Sequence, residues 1–251
     1  MTPLLARRNP VAKLGAALLF SLPLLATIDP LTPALALAVE LTLLPLFGLR
    51  YAVLARQAWP LLLAGSGVLV TMVLFAADRS GDLLVALGPF DVTTGVLGTA
   101  AGLILRLFAI ALPGVIVFAT TDPTDLADAL VQNARAPARF AIGALAAFRL
   151  LPLLGAEWQM LNLARRARGL STGVRQFPAT AFALLVGALR RGGRLAVAMD
   201  ARGFDSGLPR TYARRQIFTA SDTLLLVGAA GLAAICLSIT VVAGLFRPII
   251  G

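Results

Sequence analysis

The sequence predicts an all-α, polytopic membrane protein with about five transmembrane helices and one long basic region before the last of them. Three observations carry this. The mean hydropathy is +0.88 and 59% of the 251 residues are hydrophobic, above the roughly 45–50% apolar content of soluble domains. Charged residues are only 14%, and several unbroken apolar runs reach the length of about 18 residues or more that suits a bilayer crossing. The formal net charge of +10 sits mostly between those runs. That distribution follows the retention of positive loops on the cytoplasmic side, so nucleic acid is not the implied partner.

Residues 1–13 are short and basic, with Arg7, Arg8 and Lys13. The apolar run behind them is interrupted by Pro23 and closely followed by another, so residues 11–28 read as a retained first span rather than a cleaved leader. Residues 29–33, Asp-Pro-Leu-Thr-Pro, read as a tight turn without a basic residue. Residues 34–48 form the second span, with Glu40 inside it. Arg50 and Arg56 mark the next loop. Residues 59–76 form the third span, with Trp59 at an interface position, and residues 78–91 a polar loop of three acids and one Arg. Residues 95–119 form the fourth span, which contains Arg106 and Pro113. An Arg at mid-span costs roughly 2.5–3.5 kcal/mol on the insertion scale. Arg106 and Glu40 lie at similar depth in this layout, so they are a candidate intramembrane pair. The alternative is that Arg106 meets backbone carbonyls or a polar groove while Glu40 stays protonated.

Residues 121–219 change character and are strongly basic. They open on Asp122-Pro123-Thr124-Asp125, a helix start with Asp at the N-cap and Pro at the first helical position. Asp122, Asp125 and Asp128 are better explained as acids complementing a helix N-terminus than as a metal site. Residues 139–154 are apolar, carry Arg149 and end near Pro152. Residues 177–189 are apolar but too short to span. Both read as helices at the membrane boundary or packed within the basic region. Residues 221–245 form the final span, capped by Ser221. The plan is thus residues 1–120 for the first four spans, 121–219 for the basic region, and 220–251 for the last span and tail. The basic loops place residues 1–13, 50–56 and 121–219 on the cytoplasmic side. Residues 29–33, 78–91 and the tail with Arg247 then lie outside. Gly98-x-x-x-Gly102 and Ala230-x-x-x-Ala234 permit close helix approach, read here as packing within the chain, with a face towards a partner subunit as the alternative.

Absent residue types exclude several chemistries. The chain has no His and one Cys, Cys236, inside an apolar run. Imidazole acid–base chemistry, a disulfide framework and thiolate clusters are therefore excluded. Lys13 is the single lysine, and its surroundings do not form the G-x-x-x-x-G-K-[ST] loop of an ATPase. No catalytic, cofactor or metal set is expected.

The chemistry that remains is cationic and repeated. Ala164-Arg165-Arg166-Ala167-Arg168-Gly169 has a near-copy in Ala198-Met199-Asp200-Ala201-Arg202-Gly203-Phe204. Each sets Ala-Arg-Gly at the end of a predicted helix. Gly just past a helix end supplies a left-handed cap, and Arg in the last turn lies near the negative end of the dipole. In the first helix Met160, Leu163, Ala164 and Ala167 share one face, and Gln159, Asn162 and Arg166 another. In the second, Arg190, Arg191 and Arg194 make a basic stripe, while Asp200 and Asp205 flank Arg202 and are expected to hold it. A solvated or headgroup-facing surface explains the stripe. It does not explain two helices ending in one tripeptide.

These motifs resemble the transmembrane T component of energy-coupling factor (ECF) transporters, ABC-type importers of vitamins such as biotin and of metal ions such as cobalt. That family's second motif typically reads Ala-Met-(Asp/Glu)-Ala-Arg-Gly-Phe, which residues 198–204 match; Ala167-Arg168-Gly169 matches the first. Asn9-Pro10-Val11-Ala12-Lys13-Leu14 resembles the family's Asp-Pro-x-x-Lys-Leu opening, with Asn for Asp. The resemblance implies a non-catalytic coupling subunit in the cell membrane. Two cytoplasmic ABC-type ATPase subunits would dock on Ala167, Arg168 and Gly169 and on Ala201, Arg202, Gly203 and Phe204. Their ATP-driven motion would pass to a membrane-embedded S component, which binds the substrate. Two other classes stay open at this point. A membrane-embedded enzyme would need a denser set of spaced acids than residues 200–205 supply. A secondary transporter would usually show repeated spans, and none is found.

Overall fold

The computed structural model describes residues 5, 8–27, 29–76, 81–87, 90–170, 173–204, 206–207 and 211–244. It is built from helices: α1 Pro10–Leu24, α2 Leu31–Leu43, α3 Tyr51–Phe75, α4 Thr94–Ala119, α5 Pro123–Gln132, α6 Ala138–Ala167, α7 Phe177–Asp200 and α8 Ala220–Val242. A two-stranded antiparallel hairpin, β1 Leu83–Leu87 and β2 Phe90–Thr93, stands before α4. Part of the expected 78–91 loop is therefore strand, with Val85 opposite Val92 and Leu87 opposite Phe90. Asp78 lies outside the described residues. Among the described helices, α3, α4, α6 and α8 are long and apolar enough to cross a membrane, and α1 and α2 are shorter apolar helices. The protein is an all-α, multi-pass membrane protein.

The chain divides into two compact units. One holds Met1–Asp122 and Ile217–Gly251, the other Pro123–Gln216. In the first, α8 packs on α1, α3 on α4, and α4 also meets α1 and α2. Phe20, Leu24, Ala36, Ala109 and Ala233 make one buried cluster, and Leu44, Leu54, Ala58, Leu112 and Ile116 belong to another. Two glycines set the spacing. A Cβ on Gly15 would stand 2.9 Å from Leu226 Cδ2, and one on Gly102 would stand 3.2 Å from the Pro30 Cβ. Gly102 thus makes the expected close approach, whereas a Cβ on Gly98 would meet nothing within 4 Å. Ala230 and Ala234 are exposed. The packing face of α8 carries Ala233, Cys236 and Thr240 instead.

Several boundaries differ from the sequence reading, each for a local reason. Helix α2 starts at Leu31 rather than residue 34. Asp29 Oδ2 accepts from Thr32 N at 2.8 Å and Thr32 Oγ1 at 2.6 Å, and Pro30 and Pro33 fall in the first turn, where the missing N–H costs nothing. Helix α3 starts at Tyr51 and takes in Arg56, which is not in a loop. Ser221 is not the cap of α8. Thr219 is, in a capping box with Asp222. The apolar helix expected to end near Pro152 does not end there. Residues 139–154 and the first Ala-Arg-Gly helix are one 30-residue helix, α6, that runs through Pro152. Residues 177–189 likewise continue into the Arg190–Arg194 stripe as α7.

Candidate functional site

Each Ala-Arg-Gly motif closes its helix with the same hydrogen bonds. At the end of α6, Gly169 has φ +70°. Gly169 N donates to Arg166 O at 2.9 Å, and Leu170 N to Arg165 O at 3.0 Å. At the end of α7, Gly203 has φ +75°. Gly203 N donates to Asp200 O at 2.9 Å, and Phe204 N to Met199 O at 3.1 Å. Both are Schellman caps with Arg at the last cap position, Gly in the left-handed turn and an apolar residue after it. A side chain at either Gly would oppose the positive φ; at Gly169 a Cβ meets nothing within 4 Å, so backbone strain alone selects Gly.

Arg168 and Arg202 are exposed. Neither side chain has a hydrogen-bond or ion-pair partner among the described residues. The expected hold on Arg202 by Asp200 is not made, and Asp205 lies outside the described residues. Each guanidinium therefore stands at a helix end without a partner among the described residues, with a planar fork suited to carboxylates and carbonyls.

The helices behind the tips are braced. Arg191 on α7 pairs with Glu157 on α6. Gly187 leaves room for the pair, since a Cβ there would stand 3.3 Å from Glu157 Oε1. Trp158 and Phe177 rings meet at 5.3 Å, and Arg165 Nη2 donates to Gln176 Oε1 at 3.1 Å. Arg191 is therefore not part of a free stripe, while Arg190 and Arg194 are exposed. Met160 and Leu163, on the apolar face, also point outward, 66% and 57% exposed.

The second tip borders a hollow lined by Thr124, Asp128, Ile142, Met199, Phe204 and Tyr212. Its edge is pinned by Gln132, whose Nε2 donates to Arg214 O at 2.8 Å and whose Oε1 accepts from Gln216 N at 2.9 Å. Asp125 meets Arg214 at 3.5 Å.

The Glu40–Arg106 pair is not formed. Both Glu40 carboxylate oxygens are buried without a hydrogen-bond partner. Arg106 Nη2 instead donates to Thr27 Oγ1 at 3.4 Å. The reason is register. Gly102 stands against Pro30, and Ala109 clusters with Ala36. Glu40 is therefore level with Pro113, about 10 Å along α4 from Arg106. Glu40 lines an apolar cavity of about 340 Å³ with Phe20, Pro113, Ile116 and Ala229.

Sequence reasoning marked residues 9–14 as a motif but missed the contacts that its polar residues make at the start of α1. Asn9 Oδ1 caps α1 by accepting from Val11 N at 2.9 Å, and Asn9 N donates to Asp222 Oδ1 at 3.0 Å. Lys13 Nζ donates to Thr120 O at 2.8 Å. The Asn-Pro-x-x-Lys spacing was the available signal, but nothing local names its distant partners.

The model of the CbiQ cobalt transport protein family matches residues 2–213. The energy-coupling factor transporter transmembrane protein EcfT of Bacillus subtilis is 29% identical over 77% of this chain and 80% of its own length. That of Listeria innocua is 28% identical over 90% of each. A Bifidobacterium longum protein named as an ABC transporter ATP-binding protein is 27% identical over 87% of this chain, which spans 30% of it.

Proposed function

Because this chain belongs to the CbiQ cobalt transport protein family and is an ECF transporter transmembrane component, we propose that it couples two cytoplasmic ABC-type ATPases to a substrate-binding S component. The imported substrate is of the vitamin or metal-ion class. Arg168 and Arg202, with Ala167, Gly169, Ala201, Gly203 and Phe204, form the two ATPase-docking tips. The observation that carries this reading is the pair of matching caps, each ending in an exposed arginine without a partner among the described residues. A helix end needs no such cation twice over; a socket on another protein does. The Bifidobacterium relative supports the ATPase partnership, since a protein named for ATP binding contains a region similar to this chain. Relatives named as transporter transmembrane proteins favour a non-catalytic subunit over a membrane-embedded enzyme.

In this reading the protein lies in the cell membrane with its N-terminus and residues 121–219 on the cytoplasmic side. Exposed Arg149 within the apolar half of α6, donating to Thr124 Oγ1 at 3.0 Å, favours an interfacial α6 over a crossing one.

The test is to replace Arg168 and Arg202 by Ala, singly and together. Truncating one partner of a buried charged contact costs about 2–5 kcal/mol, on the order of 30-fold in affinity or more. The single variants should insert normally but co-purify less ATPase, and the double variant should lose uptake. Lys should substitute poorly, because it lacks the planar fork. Normal uptake by the double alanine variant would overturn the assignment.

A further inference from the structure

We infer that Asn9–Lys13 is a positioning clip that holds together the two places where the chain passes between its units. Its role in coupling rests on the function proposed above; its existence does not.

The chain leaves the first unit after Asp122 and re-enters it at Ile217. Both crossings lie within a few residues of a bond from α1. On the outgoing side, Lys13 is buried, 3% exposed. Its ammonium donates to Thr120 O at 2.8 Å and to Thr121 Oγ1 at 3.4 Å. Thr120 caps α4, so the cation sits at the negative end of that helix. On the returning side, Asp222 is 2% exposed. One carboxylate oxygen accepts from Asn9 N at 3.0 Å, and the other from Thr219 N and Oγ1, both at 2.8 Å. Asn9 and Lys13 are one helical turn apart, and their contacts reach 213 and 107 residues along the chain, respectively.

Capping alone does not account for this. Water or a glycine turn would satisfy the end of α4 without burying a cation. Thr219 and Asp222 complete the capping box of α8 without help from α1. What Lys13 and Asn9 add is attachment of both ends to α1. Burying a Lys and an Asp is tolerated only because each is fully engaged. Lys13 is also the single lysine among 22 basic residues. Its compact ammonium can turn its donors to both Thr120 O and Thr121 Oγ1 from one buried point, which the larger, fixed fork of Arg does not do as readily.

The clip therefore fixes the exit and the return against one rigid element. Force arriving along residues 123–216 enters the membrane unit at two points that move together. Loosening the clip would let those points move separately, so ATP hydrolysis would continue while import fails.

The experiment uses the full chain with its co-purified partners in liposomes. Cys236 is replaced by Ala, and spin labels are placed through Phe118→Cys on α4 and Leu224→Cys on α8, both exposed sites, 69% and 71%. The parent should give one narrow inter-label distance. Lys13→Met should broaden it and lower uptake at least tenfold, with ATPase recovery within twofold of the parent. Lys13→Arg, which keeps charge and donors, should fall between the two. Asp222→Asn, near-isosteric but carrying an amide nitrogen where one oxygen accepts, gives a second way to loosen the clip if Lys13→Met does not accumulate. An unchanged distance distribution in Lys13→Met or Asp222→Asn overturns the clip. A broadened distribution with unchanged uptake overturns its role in coupling. If the parent recovers no ATPase, the docking proposal fails while the distances still decide the clip.

Discussion

The two units are built on opposite principles. The first buries Leu24, Leu44, Val96 and Cys236 almost completely, and its buried polar groups are largely answered from within: Asp29 by Thr32, Thr32 also by Thr240, Lys13 by Thr120, Asp222 by Asn9 and Thr219. In the second, the buried apolar residues among those described are Ala127, Ala129 and Ala141. Its larger side chains, such as Phe140, Phe148, Met160, Leu163 and Phe182, are mostly exposed. Three buried alanines supply little of the free energy that larger side chains give on burial. The second unit is held by its ion pair, its ring contact and its helical backbone, and its large apolar side chains are left uncovered by the chain, as are Leu62, Leu63 and Phe75 on the surface of the first. The difference between the units is therefore in what they bury, large side chains in the first and, among the described residues, alanines in the second.

Cutting into each unit sharpens the contrast. Leu24→Ala should destabilise the purified chain by about 2–5 kcal/mol, as a buried Leu truncation does. Leu163→Ala should leave stability within about 0.5 kcal/mol while weakening recovery of a partner. Thermal unfolding in detergent beside a pull-down reads both, and equal losses of stability would break the comparison.

The sidedness of the two units comes next. In a Cys236→Ala background, Leu84→Cys should react with a membrane-impermeant thiol reagent from outside. Val174→Cys, at a site 92% exposed, should react only after the cytoplasmic face is opened. External labelling of residue 174 would overturn the cytoplasmic placement of the arginine tips.

The smallest effect concerns the two charges in the membrane unit that are not answered by each other. Since Glu40 and Arg106 are not paired, the Glu40→Ala and Arg106→Ala effects on stability should add to within about 0.5 kcal/mol. A larger coupling energy, with rescue by the charge swap, would restore the pair.

The membrane class and the two helix tips were legible because each is a local property. Hydropathy is a running sum, and Ala-Arg-Gly writes its own cap. Long-range register was not legible. Placing Glu40 opposite Arg106 assumed that the second and fourth spans share a depth scale, whereas Gly102 against Pro30 sets the offset. Pro152 was read as a helix end, yet a single proline inside an apolar helix costs one backbone bond and often only bends it. The partners of Asn9 and Lys13 lie too far along the chain for any local pattern to name them.

The matching caps also bear on symmetry. Under the proposed docking, two ends closed by the same bonds, each offering Arg and then Gly, would accept sockets of one shape. A duplicated nucleotide-binding protein related by a two-fold axis would meet both with the same surface, although the chain that bears them has no such axis. The tips differ in the residue after Gly, Leu170 in one and Phe204 in the other. They also differ before the tripeptide, Arg165 and Arg166 against Met199 and Asp200, so under the proposed docking a pair of non-identical ATPases would have three positions by which to tell left from right.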